Sequence, residues 1–263
     1  MRMDVETYKS QTARVQIDDL DFDAFRTQPL GPGALRCLRY MHDVEHHTVC
    51  YLRDLLVTSA HRDPTITSFL TFWNFEEFWH GEALAAVLAA HGEPNSTPRI
   101  RGMRESLTWK DRWAPMWTGF ASLVAGESFI AVHMTWGAIN EWCTQAGYSR
   151  LSAKADHPML RELLRRIMKQ EGRHIDFYAS EAQRRLATDR RAQWITRLAL
   201  KRFWKPVGAT VMPRAEVEHL IGYLFGDAEG NDVAQRIDRR IDNLPGLRGL
   251  ALAEHARQYY AAA

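Results

Sequence analysis

Glu45, Glu77, His80, Glu127, Glu171 and His174 are the residues whose types and spacing best suit metal chemistry in this chain. Two of the sets are Glu-x-x-His: Glu77-Phe78-Trp79-His80 and Glu171-Gly172-Arg173-His174. On a helix, positions i and i+3 share a face, so each Glu and its His can reach neighbouring ions together. The order along the chain is Glu, Glu-x-x-His, Glu, Glu-x-x-His. This is the ligand inventory of carboxylate-bridged di-metal bundles. A shell that mixes imidazole with carboxylate suits iron or manganese better than magnesium or calcium. The expected cofactor is therefore two iron ions, with manganese as the alternative in either position. No catalytic residue beyond these six ligands is assigned.

The elements that must position these residues are four long amphipathic helices, expected near 33–58, 64–91, 115–146 and 158–187. Asp63 is the expected N-cap of the second, with Pro64 at its first helical position. Their inward stripes step by three and four residues. They run Leu38, Met41, Glu45, Thr48, Leu52, Leu55 in the first helix and Ile66, Leu70, Trp73, Glu77, His80, Leu84, Val87 in the second. The third carries Met116, Phe120, Leu123, Glu127, Ile130, Met134, and the fourth Leu160, Leu164, Ile167, Glu171, His174, Tyr178. Each stripe holds a carboxylate near its middle. A lone ionised Glu in an apolar core is costly, and four at one level also repel. Two divalent cations cancel four carboxylates, which makes metal binding the simplest account.

Strand signals are nearly absent. Short turns join helices one to two and three to four, the latter around Gly147 to His157. Residues 92–114, with Gly92, Pro94, Pro98 and Gly102, form a long crossover. One such crossover is the ferritin-like connectivity. The expected fold is all-α: a ferritin-like four-helix bundle (about 33–187) and a helical C-terminal annex (about 188–263) in one domain, 1–263. Annex helices are expected near 189–205, 213–225 and 229–242, and from about 247.

Thirty-four basic and 32 acidic residues leave a formal charge of +2, which argues for neither nucleic acid nor a membrane surface as partner. Three cysteines, Cys37, Cys50 and Cys143, show no metal spacing and an odd count. They fit a reduced, cytoplasmic setting. The N-terminus has no apolar signal segment. Residues 114–139 are long and apolar, but Glu127 interrupts them. The other helices are amphipathic, so a buried bundle helix is favoured over a membrane span.

Several nearby residues have plainer readings. Glu76 lacks a His at i+3 and falls out of phase, toward the helix flank. His46 and His47 read as flanking residues, and His133 as a satisfied core histidine. Trp73, Trp79, Trp136 and Tyr178 read as core packing ahead of an electron relay.

At the metal motifs the chain resembles a known family. Phe75-Glu76-Glu77-Phe78-Trp79-His80-Gly81-Glu82-Ala83-Leu84 is similar to the Glu-Glu-Asn-Arg-His-Gly-Asp-Leu-Leu segment of soluble acyl-ACP desaturases. Gln170-Glu171-Gly172-Arg173-His174 resembles that family's Asp-Glu-Lys-Arg-His. Glu127-Ser128-Phe129-Ile130 stands where the family has Glu-Arg-Ala-Thr. The regions around Met212-Pro213 and from Leu244-Pro245 to Arg257 are also similar. The family's Asp is Gln170 here, its Asn-Arg is Phe78-Trp79, and its Thr falls at Ile130. The resemblance implies a di-iron oxidoreductase that uses O₂ and external electrons to desaturate, or otherwise oxidise, a long-chain acyl group. It implies acyl carrier protein and a ferredoxin-type electron donor as partners, and a homodimer. The rival readings are a di-iron oxygenase of a non-acyl substrate, such as an amine or secondary metabolite, and a non-catalytic iron-binding or ferroxidase protein.

Overall fold

The computed structural model describes residues 4–107, 116, 119, 122 and 126–261. Among them every regular element is helical. Two short N-terminal helices, α1 (Val5–Gln11) and α2 (Ala24–Thr27), precede the long α3 (Pro32–Leu56) and α4 (Pro64–Ala90). A short α5 (Thr97–Glu105) lies in the crossover. The long α6 (Ser128–Ala155) and α7 (Pro158–Thr188) follow. The annex comprises α8 (Arg190–Phe203), α9 (Arg214–Phe225), α10 (Ala228–Asp242) and α11 (Leu252–Ala261).

Two helical hairpins make the centre. α3 packs along α4, and α6 packs along α7. The hairpins meet where α4 faces α7 and α3 faces α6. The tight turns between partners make them antiparallel. Asp63 caps α4 as expected, its carboxylate accepting from the amides of Thr65 and Ile66. The annex covers one side: α9 rests on α3 and α6, α10 rests on α6, and α11 packs on α9 and α10. α1 lies against α4.

The third long helix departs from expectation. It starts at Ser128 and runs to Ala155, displaced toward the C-terminus from 115–146. Gly126 has φ +60°, a left-handed conformation that glycine adopts without steric cost, and Glu127 follows as the N-cap. At the other end the chain does not turn at Gly147. One glycine costs a helix about 1 kcal/mol, and burying Tyr148 and Leu151 outweighs that. Asp156, with φ 44°, ends the helix instead. Of the stripe expected here, Met116 is exposed, while Phe120 and Leu123 lie outside the described residues, as does most of 108–125. No helix among the described residues is long and apolar enough to cross a membrane.

α6 and α7 approach closely at Gly137. A Cβ there would lie 2.3 Å from the ring of Tyr178, which is fully packed. Gly137→Ala should therefore overpack the interface and cost about 1–3 kcal/mol. A lower denaturant midpoint with unchanged slope would show it; an unchanged midpoint would mean the helices can move apart freely.

Candidate metal centre

Five of the six residues singled out from sequence meet at mid-height of the four long helices. Glu45 comes from α3, Glu77 and His80 from α4, and Glu171 and His174 from α7. α6 contributes Glu141, which the sequence reading did not choose. Two ligand sets result: Glu45, Glu77, His80 and Glu171; and Glu77, Glu141, Glu171 and His174. All are buried, and within each set the donor atoms lie within 4.8 Å of one another. An ion about 2.1 Å from its donors puts adjacent donors about 3.0 Å apart and opposite ones about 4.2 Å apart, so the sets have the right compass.

The expected ligand Glu127 is not there. It stands at the N-cap of α6 with its side chain 82% exposed, and its only charged neighbour among the described residues is Arg185, at 3.9 Å. Glu127 and Glu141 are fourteen residues apart, close to four turns, so they share a face of α6. Only Glu141 is at the height of the other carboxylates.

The two sets share Glu77 and Glu171, and each of these divides its oxygens between the histidines. Glu171 Oε1 lies 3.3 Å from His80 Nδ1, and its Oε2 lies 3.0 Å from His174 Nδ1. Glu77 Oε2 lies 3.6 Å from His80 Nδ1, and its Oε1 lies 3.1 Å from His174 Nδ1. A carboxylate placed this way could present one oxygen to each of two ions. Glu45, in one set, and Glu141, in the other, would then be terminal ligands. Tyr148 donates to Glu45, and Trp73 Nε1 donates to Glu141 Oε1 at 2.8 Å. His80 Nδ1 and Glu171 Oε1 are buried with no hydrogen-bond partner. This facing pair, 3.3 Å apart in the core, can be balanced by a cation or, without one, by a proton on His80.

Outer groups turn both imidazoles the same way. His80 Nε2 bonds Gln170 Oε1 at 2.8 Å, and Gln170 in turn donates to the carbonyl of Ala13 at 2.9 Å. His174 Nε2 bonds Glu76 Oε2 at 2.9 Å. Each histidine is thus left with Nδ1 toward the centre. Glu76, read from sequence as a flank residue, is fully buried. It also accepts from Tyr8 Oη at 2.8 Å, Arg173 at 2.5 Å and the amide of Ala13 at 3.3 Å. α1 closes over α4 here and brings Tyr8 in.

The outer partners are unequal: a neutral amide behind His80 and a carboxylate behind His174. The carboxylate makes its imidazole the stronger donor. Glu76→Gln, which keeps the shape and removes the charge, should weaken the ion on the His174 side about tenfold. A competition titration with Mn(II) should then show one weakened and one unchanged site. Equal weakening of both would contradict the assignment.

Without metal, protons balance the site. Burial and the nearby Glu77 hold Glu45 well above the ordinary carboxylate range. Burial, Glu171 and Glu77 do the same to Glu141. Burial alone would depress the histidines, but Glu171 and Glu77 outweigh it and hold His80 up to about 10. Tyr8, Glu141, Glu171 and Glu76 likewise hold His174 well above its usual value. Burial also works against ionised Glu77, yet the neighbouring Glu45, His174 and His80 keep it well below the ordinary range.

Compared with protein-family models, curated proteins and solved structures, the chain matches none.

His133 is buried outside both ligand sets, 3.4 Å from Tyr51 Oη, and burial lowers it to about 4. His46 is partly buried beside Glu82. Phe78 is exposed and meets His46 edge-on. Trp73 and Tyr178 pack edge to face in the core.

Beside the centre lies an apolar pocket of about 790 Å³, solvent at its mouth included. Glu45 and Tyr148 form part of its wall, and α3, α6 and the annex helices form the rest.

Proposed function

We propose that the chain is a ferritin-like di-iron oxidoreductase that desaturates, or otherwise oxidises, a long-chain acyl group. The observation that carries this reading is the division of Glu77 and Glu171 between two histidines. Such a pair of shared carboxylates serves two ions and is superfluous for one. The donor set of carboxylate and imidazole suits iron, and manganese is the alternative.

Two iron ions supply the one-electron chemistry and O₂ reduction that no side chain here can perform. For desaturation the balance is a –CH₂–CH₂– unit, O₂, two external electrons and two protons giving –CH=CH– and two waters. A ferredoxin-type donor fits the electron requirement. The residues of the chain do the rest. Glu77 and Glu171 would hold the two ions between them. Tyr148 and Trp73 hold the terminal carboxylates of Glu45 and Glu141 in place. The apolar wall beside Glu45 would align a hydrocarbon chain.

Two features favour an acyl chain over iron storage. The pocket next to the centre is apolar, where a route for iron would be acidic. With Glu141 as ligand, Thr144 falls three residues on, as the threonine does in the desaturase pattern Glu-Arg-Ala-Thr, and Thr144 lines the pocket. Anaerobic Fe(II) loading, followed by O₂ and a reductant with acyl substrates, should yield an unsaturated product. A hydroxylated product would select the oxygenase reading. Consumption of O₂ with every acyl chain unchanged would overturn substrate oxidation in favour of a ferroxidase.

A further inference from the structure

The apolar pocket contains one feature that a hydrocarbon does not need. Arg257 of α11 reaches its wall, and it is the only cationic residue among the described residues that line it. The other charged residue there is Glu45, which is committed to the metal centre. Arg257 is half-buried, and its Nε is shut off from solvent with no acceptor. No carboxylate among the described residues forms an ion pair with it. Glu254, one turn back on α11, does not approach it. Asp238 of α10 has both oxygens engaged with backbone, accepting from the amides of Ala253 and Glu254 at 2.9 Å each. That bond pair fixes the start of α11 and so the place of Arg257, while leaving the guanidinium uncompensated. Three other polar side chains of the wall are engaged within the protein. Tyr40 Oη donates to the carbonyl of Val207 at 2.6 Å, Trp204 Nε1 to Asn140 at 3.3 Å, and Tyr148 to Glu45.

A guanidinium is always charged and presents a planar fork of donors that matches a carboxylate. Left beside apolar surface with a sequestered N–H, it calls for an anion. We propose that the pocket binds a free apolar carboxylic acid, its carboxylate on Arg257 and its chain extending along the apolar wall toward Glu45. α11 packs on α9 and α10, and these in turn rest on the bundle. The head is therefore held on the annex side and the chain reaches the bundle side. Arg257 is a binding residue that sets register: it decides which carbon stands beside the centre. Acyl carrier protein, the delivery implied by the desaturase resemblance, would present an uncharged thioester and leave Arg257 unmatched. The inference rests on the pocket being the substrate chamber of the proposed oxidoreductase, and it narrows the substrate from an acyl group in general to the free acid.

The test is equilibrium binding of decanoate, decanol and methyl decanoate to the full chain, freed of metal by chelation and then loaded with Mn(II). The readout is tryptophan fluorescence, since Trp204 lines the pocket. Decanoate should bind about 10- to 100-fold more tightly than the alcohol or ester, with or without metal. Arg257→Gln should bring decanoate down to the level of decanol and leave decanol unchanged. Arg257→Lys should keep part of the preference. Circular dichroism and unchanged Mn(II) binding would show that both variants fold. Equal binding of acid and alcohol by the unaltered chain would overturn the proposal, as would a preference that survives Arg257→Gln. A preference present only with Mn(II) bound would also overturn it, because the carboxylate would then sit on the metals. None of these measurements uses O₂, electrons or turnover. The acid preference can therefore stand while the oxidoreductase reading fails, and the reverse.

Discussion

Replacing Glu141 with alanine should reduce the number of tightly bound divalent ions from two per chain to one, whereas replacing Glu127 with alanine should leave two. The ion on the Glu45 side keeps all four of its donors in the Glu141 variant. The ion on the His174 side loses its terminal carboxylate and retains Glu77, Glu171 and His174. Losing a direct ligand should weaken that ion by more than the 10- to 100-fold typical of changes behind a ligand. At micromolar protein the site should then read as empty. Trp73 Nε1 also loses its acceptor, so a modest loss of stability should accompany the change. Glu127 is exposed and far along the helix, so neither stoichiometry nor fold should respond to its removal. Metal analysis of the two variants after gel filtration checks both statements. One ion in the Glu127 variant, or two tight ions in the Glu141 variant, would reverse the assignment.

Loading the metal-free chain with two divalent ions near pH 7 should release about four protons. Glu45 and Glu141 are held protonated by burial and by the charge of Glu77, with Glu171 adding to Glu141. His80, up to about 10, and His174, well above its usual value, each hold an extra proton among the carboxylates. All four must lose a proton for their donor atoms to reach a metal. The sign follows directly. Protons compete with the ions, so affinity falls as pH falls and rises as pH rises toward the histidine values. The product of the two binding constants should change by as much as about 10⁴ per pH unit near neutrality. Calorimetry in two buffers of different ionisation enthalpy counts the protons. Release near zero would mean that the ligands stand deprotonated in the empty site, and that the charge balance described here is wrong.

The residues of the centre were legible in sequence to different degrees, for physical reasons. Glu45, Glu77, His80, Glu171 and His174 stood out because each interrupts an apolar stripe on a helix whose limits are marked. Pro32, Pro64 and Pro158 begin those helices. α6 has no such mark. Its phase was readable, and phase alone makes Glu127 and Glu141 equivalent, because they are almost four turns apart. What separates them is height, and height depends on where the helix begins. The apolar run across 114–139 hides that point, and the cue was Gly126, which takes a left-handed turn. Gly147 misled in the opposite sense, since a glycine inside a helix is tolerated when its neighbours bury well.

Glu76 was hidden for a different reason. Its place on the flank of α4 is correct by phase, but a flank is buried when another segment covers it. α1 is seven residues long, too short for periodicity to announce it, and Tyr8 carries the contact. Three annex helices lie close to their expected limits, and the last begins at Leu252 rather than near 247. Their packing, which makes the apolar pocket and brings Arg257 into it, depends on long-range contacts that no local pattern encodes.

The most direct test of the central claim is anomalous diffraction from crystals of the chain loaded anaerobically with Mn(II). Two peaks about 3.5–4 Å apart are predicted. One should be bound by Glu45 and His80, the other by Glu141 and His174, with Glu77 and Glu171 joining them. A single peak, a peak at Glu127, or an empty centre would contradict the account.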